Sequence, residues 1–306
     1  MKIKTHGKII LIGEHSVVYG KPAIAIPFID RELELTIKDS NENYLCSDFY
    51  NGKIKDLDGR LLGFKNLIKT FTDKYKISDK VKILIKSDIP LQRGMGSSAS
   101  IAVAIAKGLY EHFKIDYDID KIIDLANISE KYVHGNPSGI DIETIARDRA
   151  IWYIKNKEII DFPIDLNGYL VISDSGIKGF TKEAVADVRA LYDSDDRYKS
   201  YVESLGELTF SAKQAIKKNN LESLGKTMDK AQVYLRELSV SDPIIEEMIR
   251  LSKDAGALGA KLTGGGRGGC MIALSPDLQT AENIRKKLMA LGKEVWISDL
   301  KKLKEE

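Results

Sequence analysis

The sequence predicts an α+β protein of two domains, and three observations support this prediction. The chain has 306 residues, more than one compact core usually holds. Three short runs typical of strands lie within the first 38 residues. After Leu166 the pattern changes to one strand followed by a long helical region. We therefore expect an N-terminal domain at 1–166 and a C-terminal domain at 167–306.

The N-terminal domain begins in strands and continues in helices. Apolar residues recur at helical spacing from Phe64 to Phe71, whereas the segment 81–87 alternates as a strand does. Pro90 ends that strand, and a glycine-rich segment then leads into a long helix. The predicted strands are 8–12, 23–26, 32–38 and 81–87, with short strands between 151 and 164, and the predicted helices are 64–75, 98–113 and 119–133.

The C-terminal domain is predicted to contain more helix than strand. A strand at 170–173 is followed by four helical stretches between 182 and 254. A glycine-rich loop at 259–270 comes next. The chain then continues through a strand at 270–274, a helix and a strand at 294–297.

The composition excludes several classes of function. Lys and Arg total 47 and Asp and Glu total 45, so the net charge of +2 provides no field for holding nucleic acid or an anionic membrane. The apolar run Ile9–Ile12 is too short for a signal peptide or a membrane span. Cys46 and Cys270 match neither a disulfide framework nor a zinc site. We expect a soluble, cytoplasmic protein with no nucleic-acid or membrane partner, whose sequence leaves the oligomeric state open and is compatible with a homodimer.

The segment RGMGSSAS, from Arg93 to Ser100, has the composition of a phosphate-binding loop. Its glycines allow the backbone to approach a ligand closely, and the helix that follows adds the positive end of its dipole. A glycine turn with a serine N-cap is the structural alternative. The segment lacks the lysine of GxxxxGK[ST], and the chain has no HRD or DFG motif, so a standard P-loop and a protein kinase are both excluded.

Two other segments contain charged residues suited to the same site. In HGKIILIGEHSVVYG, Lys8 begins a strand, and Glu14 and His15 lie on the turn after it. In SEKYVHGNPSGIDIET, Glu130 lies near the end of a helix and Asp141 follows a Pro/Ser/Gly loop. A solvated strand end, a turn carboxylate, a surface ion pair and a helix N-cap are the structural alternatives for these residues.

These segments together predict a magnesium site. A hydroxyl from Ser98, a carboxylate from Glu130 and the phosphate oxygens of a nucleotide form the oxygen-only ligand set that Mg²⁺ prefers. The four histidines have no spacing suited to zinc. A metal bound by this chain is therefore expected to be of the hard, oxygen-bound kind.

A second glycine-rich segment, GAKLTGGGRGGC, runs from Gly259 to Cys270. The structural alternative for this segment is a glycine-rich end of a helix. So many glycines in succession cost conformational order, which favours a close approach of backbone or ligand at this place.

In order, these segments resemble the signature motifs of the GHMP kinases, PGKxxLxGEHxVVxG, PxxxGLGSSA and KLTGxGxGG. The resemblance spans the chain from His6 to Cys270. It implies an ATP-dependent phosphotransferase with an alcohol acceptor. It also implies the family's two-domain fold, an N-terminal domain of ribosomal protein S5 domain 2 type and a ferredoxin-like C-terminal domain. Within the family, GEHSVVYG and HGNPSGID look like the branch that phosphorylates the C5 hydroxyl of mevalonate, and most closely its bacterial members.

The resemblance also implies a role for each matching residue. Asp141 is the expected catalytic carboxylate and mevalonate ligand, Lys8 its cationic partner, and Ser98 and Glu130 the Mg²⁺ ligands. We expect Asp141 to orient the hydroxyl and take its proton late, while Lys8 stabilises the developing alkoxide. The remaining implied residues are Glu14 and His15 for mevalonate, and Arg93, Gly94, Met95, Gly96, Ser97, Ser98, Ala99, Thr263, Gly264, Gly265 and Gly266 for ATP.

Two positions depart from the family pattern. Met95 stands where the family usually has Leu, which is a mild exchange. Arg267 interrupts a run of small residues, and a positive φ there would strain an arginine. We hypothesise that Arg267 lends a bidentate donor to phosphate or to the substrate carboxylate.

Two alternatives stay open at the level of sequence. One is another small-alcohol kinase of the same family, galactokinase-like or homoserine-kinase-like. The other is a nucleotide-binding regulator that kept the fold and lost catalysis. The joint presence of Lys8, Ser98, Glu130 and Asp141 argues against the regulator.

Overall fold

The structure, a computed structural model, describes residues 2–134 and 138–303. The strands of this part of the chain are β1 (Lys2–Ile12), β2 (Pro22–Ser40), β3 (Tyr44–Cys46), β4 (Asn51–Lys53), β5 (Lys80–Ser87), β6 (Ile151–Ile154), β7 (Glu158–Asp161), β8 (Tyr169–Asp174), β9 (Gly259–Thr263), β10 (Cys270–Ser275) and β11 (Glu294–Asp299). Its α-helices are α1 (Leu62–Tyr75), α2 (Ser97–His112), α3 (Ile119–His134), α4 (Ile140–Arg147), α5 (Thr181–Ser194), α6 (Asp196–Lys217), α7 (Leu221–Glu237), α8 (Pro243–Asp254) and α9 (Leu278–Ala290). Short 3₁₀ helices supplement them. Residues 135–137 of the HGNPSGID motif lie outside the described residues.

Most predicted elements are confirmed, and four differ. The strand predicted at 8–12 is the second half of a longer strand, β1, which begins at Lys2. The strands predicted at 23–26 and 32–38 are parts of one strand, β2, because its two ends pair with different neighbours, β6 and β5. The polar stretch 41–63 contains β3 and β4, which were not predicted. The loop predicted from Gly259 begins instead with β9, whose five residues are all buried.

The described residues form two compact units. The first contains residues 2–8, 29–91 and 96–148. The second contains residues 9–28, 92–95 and 149–303. The expected domain boundary at Leu166 stays a prediction.

In the first unit, helices α1 to α4 pack against one another beside a sheet. The end of β2 pairs antiparallel with β5, and β3 pairs parallel with β5 and antiparallel with β4. Helix α2 is largely buried, and its Gly108 packs so closely on β2 that a Cβ there would lie 2.7 Å from Leu35 Cδ2. This close packing fixes α2, and with it the glycine-rich loop that precedes α2.

The second unit contains a four-stranded antiparallel sheet in the order β11-β8-β10-β9. Helices α5 to α8 follow β8, and α9 follows β10, so the chain order is strand, helices, two strands, helix, strand. This is the split βαβ arrangement of ferredoxin-like domains. The fold expected for the C-terminal region is therefore confirmed. No helix in the described ranges is long and apolar enough to cross a membrane.

Candidate active site

The predicted phosphate loop leads directly into α2. Gly94 and Gly96 both have a φ of 75°, and Gly96, not a serine, is the N-cap of the helix. A Cβ on Gly96 would lie 2.8 Å from Lys8 Cγ and 3.1 Å from Ile145 Cδ1, so backbone angle and space both require glycine. The first amides of α2 have no carbonyl partner within the helix, which suits them to an anionic ligand.

Ser98 and Glu130 form a pair of oxygen ligands, of which Ser98 is half-buried and Glu130 buried. The Ser98 hydroxyl, in the first turn of α2, donates a hydrogen bond of 2.6 Å to Glu130 Oε1 on α3. Glu130 is 6% exposed, so it is not a surface ion-pair residue. The described residues contain no group of three or more His, Cys, Asp or Glu side chains able to hold a metal. One hydroxyl and one carboxylate nevertheless fit Mg²⁺, which usually takes its remaining ligands from phosphate and water.

Lys8 and Asp141 form an ion pair in the same unit. Lys8 Nζ on β1 lies 3.0 Å from Asp141 Oδ1 in the first turn of α4. Lys8 is 2% exposed and the Asp141 side chain 32%, so Lys8 is not a solvated strand end. Gly139 is the N-cap of α4, which excludes the capping role for Asp141. A buried lysine requires a partner, and this carboxylate supplies one.

Glu14 belongs to a buried ion pair in the second unit. Lys261 Nζ, on β9, donates a hydrogen bond to Glu14 Oε1, and both side chains are almost fully buried. Lys261 also donates to the Leu262 carbonyl at 2.6 Å. Lys261 was not predicted as a site residue, although a lysine between small and apolar residues in GAKLT is a signal of a buried, paired cation.

His15 is buried, and one of its ring nitrogens forms a hydrogen bond within the protein. Its Nε2 lies 3.0 Å from the Gly265 carbonyl oxygen, which only accepts, so Nε2 carries the proton. Burial lowers the pKa of His15 to about 4, and the nearby cations Arg267 and Lys261 act in the same direction. Nδ1 is buried and has no hydrogen-bond partner among the described residues. The neutral ring therefore offers one acceptor for a donor from a ligand.

The Arg93 side chain forms two hydrogen bonds within the second unit. Its Nε donates to Asp174 Oδ2 at 2.7 Å, and its Nη2 donates to the Gly176 carbonyl at 3.2 Å. Its Nη1 is buried and has no hydrogen-bond partner among the described residues, so this nitrogen is available for the phosphate contact predicted for Arg93. Asp174 was not predicted, although a carboxylate at the end of a buried strand is a recognisable feature.

The two glycine-rich segments approach each other in the second unit. A Cβ on Gly94 would lie 3.3 Å from the Thr263 carbonyl oxygen, and one on Gly264 would lie 3.1 Å from the Gly94 carbonyl oxygen. The Thr263 hydroxyl donates to the Ile10 carbonyl at 2.9 Å, which ties the segment to β1. The close backbone approach expected from the run of glycines is therefore present.

Arg267 adopts the left-handed conformation, with a φ of 55°. Its Nη1 donates to Asp187 on α5, and its Nε donates to the Ser239 carbonyl at 3.1 Å. Its backbone N–H donates to the Val240 carbonyl at 2.7 Å. These contacts offset the strain and favour a tether between the loop and neighbouring helices over the hypothesised phosphate donor.

Two family models match the chain. The one described as GHMP kinases N terminal domain matches residues 64–146, and the one described as GHMP kinases C terminal matches residues 212–294. The first range contains the predicted phosphate loop, Glu130 and Asp141, and the second contains the segment 263–266. The matches define the class of protein as a two-domain GHMP kinase fold, as predicted.

Individual relatives give a narrower assignment. A mevalonate kinase of Pyrococcus furiosus is 34% identical over 304 residues, covering 89% of this chain and 88% of the relative. The crystal structure of mevalonate kinase from methicillin-resistant Staphylococcus aureus MRSA252 matches with a TM-score of 0.76 and 32% identity over 98% of both chains. That of L. major mevalonate kinase in complex with R-mevalonate matches with a TM-score of 0.81 and 27% identity over 97% of this chain and 94% of that chain. The chain therefore belongs to the GHMP kinase family, in its mevalonate kinase branch.

Proposed function

We propose that this chain transfers the γ-phosphoryl of ATP to the C5 hydroxyl of mevalonate, giving 5-phosphomevalonate and ADP. The observation that carries the proposal is the Lys8–Asp141 ion pair, in the same unit as the Ser98–Glu130 pair and the amino end of α2. The relatives named mevalonate kinase support the choice of acceptor.

In the proposed reaction, Asp141 orients the acceptor hydroxyl and receives its proton. The bond from the acceptor oxygen to the γ-phosphorus forms as the bond from that phosphorus to the β,γ-bridging oxygen breaks, and ADP leaves with the electron pair. Lys8 neutralises charge that develops on the acceptor oxygen. Positioning and charge neutralisation are the main contributions a protein makes to this reaction.

Ser98 and Glu130 are the residues proposed to hold Mg²⁺. When bound, the ion would neutralise charge on the phosphate oxygens. The hydrogen bond between the two side chains aligns their oxygens beside the start of α2. Arg93–Ala99 and the segment 263–266 stay predicted ATP ligands.

The predicted mevalonate contacts of Glu14 and His15 stay predictions. The buried, neutral ring of His15, with Nδ1 as an acceptor, suits a hydroxyl better than a carboxylate. Glu14 is already occupied by Lys261, which supports an indirect role in which it shapes the turn that carries His15.

A coupled assay for ADP release with Mg-ATP tests the function. We expect turnover with mevalonate and none with galactose or homoserine. ADP release with galactose or homoserine, but not with mevalonate, would establish the other small-alcohol kinase. ATP binding without turnover on any of the three alcohols would favour the regulator.

A further inference from the structure

Strand β1 holds helix α4 at both ends. His6 and Lys8 are two residues apart, so their side chains leave β1 on the same face. Lys8 pairs with Asp141 in the first turn of α4. His6 Nε2 lies 2.8 Å from Oδ1 of Asp148, the residue that ends the helix. One strand thus contacts both ends of the eight-residue helix that carries the proposed catalytic carboxylate.

The His6 ring is suited to hold a carboxylate. It is buried, and its Nδ1 lies 2.6 Å from the Gly7 carbonyl oxygen. Because a carbonyl only accepts, Nδ1 carries a proton, and the ring is a cation opposite Asp148 only when Nε2 carries a second one. The Nε2 contact has the distance of an ion pair without the alignment of a hydrogen bond. The proximity of the buried ring to the carboxylate is therefore the observation on which the inference rests.

A second cation acts at the same helix end. Lys107, on α2, donates from Nζ to the Ala146 carbonyl in the last turn of α4 at 3.4 Å. A cation at this position is favoured by the partial negative charge of a helix carboxyl end. Asp148 N–H donates to the Thr144 carbonyl, which closes the helix. The carboxyl end of α4 is thereby attached to both β1 and α2.

We propose that His6 is a positioning residue for phosphoryl transfer. By contacting Asp148, His6 fixes the rotation of α4 about its axis and its position along that axis. The position of Asp141 relative to Lys8 is fixed as a result. The inference rests on the proposed function, since it acts through Asp141. His6 stands at the proline position of the motif PGKxxLxGEHxVVxG, and proline has no group that can pair with Asp148. The contact between His6 and Asp148 is therefore not a feature of that motif.

The test compares His6→Gln with His112→Gln in the full chain. His112 is the matched control because it also forms a His–Asp pair in the first unit, with Asp39 of β2 at 3.1 Å. We expect His6→Gln to lower kcat about 10-fold to 100-fold, as a displacement of about 1 Å does, with an unchanged KM for ATP. His112→Gln should keep the wild-type kcat.

Two further variants separate positioning from folding. Asp148→Asn changes a largely exposed side chain and should reproduce the loss in kcat, with no added loss in the double variant with His6→Gln. In the Asp141→Asn background, His6→Gln should have no further effect. Wild-type kcat in His6→Gln or Asp148→Asn, an equal loss in His112→Gln, or a further loss in the Asp141→Asn background would overturn the positioning role. A wild-type chain inactive with mevalonate would instead overturn the proposed function.

Discussion

Lys8 and Asp141 form one ion pair but differ in exposure. The lysine is 2% exposed, whereas the aspartate side chain is 32% exposed. The protein interior therefore holds the cation, and the carboxylate remains accessible to a ligand. This division suits a residue that must receive a hydroxyl from solution while its partner stays in place.

Replacing Asp141 by Asn should remove the proton acceptor while keeping the size of the side chain. We expect kcat/KM to fall by ~10²-fold to 10⁴-fold, the range for loss of a general base. Asp161→Asn, in the exposed pair with Arg149, is the matched control and should leave kcat/KM unchanged. Near wild-type turnover in Asp141→Asn, measured by ADP release, would remove Asp141 from the catalytic role.

His15 should make the protein less stable as pH falls. Its pKa is about 4 in the folded chain against an ordinary value of 6.5, so between these values the unfolded chain binds the extra proton and the folded chain does not. The contribution of His15 to stability is therefore full above about pH 6.5 and falls by about 3 kcal/mol towards pH 4.

Urea unfolding from pH 4 to 7 measures this effect. Wild type should lose about 3 kcal/mol more than His15→Gln between pH 7 and pH 4, since only the wild type has the buried imidazole. Parallel curves for wild type and His15→Gln would contradict the proposed neutral ring.

Helices and alternating strands were predictable because their periodicity is local. The predicted helix 119–133 corresponds to α3, and the predicted strand 81–87 corresponds to β5. Strand β9 was missed because it is buried on both faces and so shows no alternation, and because its glycine indicated a loop. Its buried Lys261 depends on Glu14, which lies 247 positions away in the sequence.

The start of α2 allows a sharp test of the phosphate loop. Gly96→Ala combines a strained φ of 75° with a Cβ 2.8 Å from Lys8 Cγ, so the Lys8 side chain or the loop must shift. Gly292→Ala is the matched control, because its φ is 74° and a Cβ there meets nothing within 4 Å in the described part of the chain. Both variants should lose about 1–3 kcal/mol of stability from backbone strain.

The two glycine variants should differ in kinetics. Gly96→Ala is expected to lower kcat with mevalonate and Mg-ATP, whereas Gly292→Ala should keep the wild-type kcat. Equal kcat values in the two variants would show that the packing of Gly96 against Lys8 does not matter for turnover.

At the scale of the whole molecule, the motifs carried most of the functional prediction. GEHSVVYG, RGMGSSAS and KLTGGGRGG predicted the family, and the run of glycines in KLTGGGRGG predicted a close approach of backbone or ligand. The pairings of Asp174, Lys261 and Asp148 could not be predicted, because no local pattern relates each of them to its partner. Arg267 shows the same limit, since its hypothesised ligand is replaced by Asp187 and Ser239.

The Glu14–Lys261 pair joins the amino-terminal turn to the last sheet of the second unit. Glu14→Gln should cost about 3–5 kcal/mol, because it leaves the Lys261 charge buried and uncompensated. The double variant Glu14→Gln/Lys261→Met should lose less stability than Glu14→Gln alone, since it removes both charges.

The control is Glu203→Gln, in the more exposed pair with Lys21, which should cost less than about 1 kcal/mol of stability. Urea unfolding of the wild type, these three variants and the single variant Lys261→Met at pH 7 provides the measurement. A double variant whose loss equals the sum of the single losses would show that the two charges do not stabilise each other.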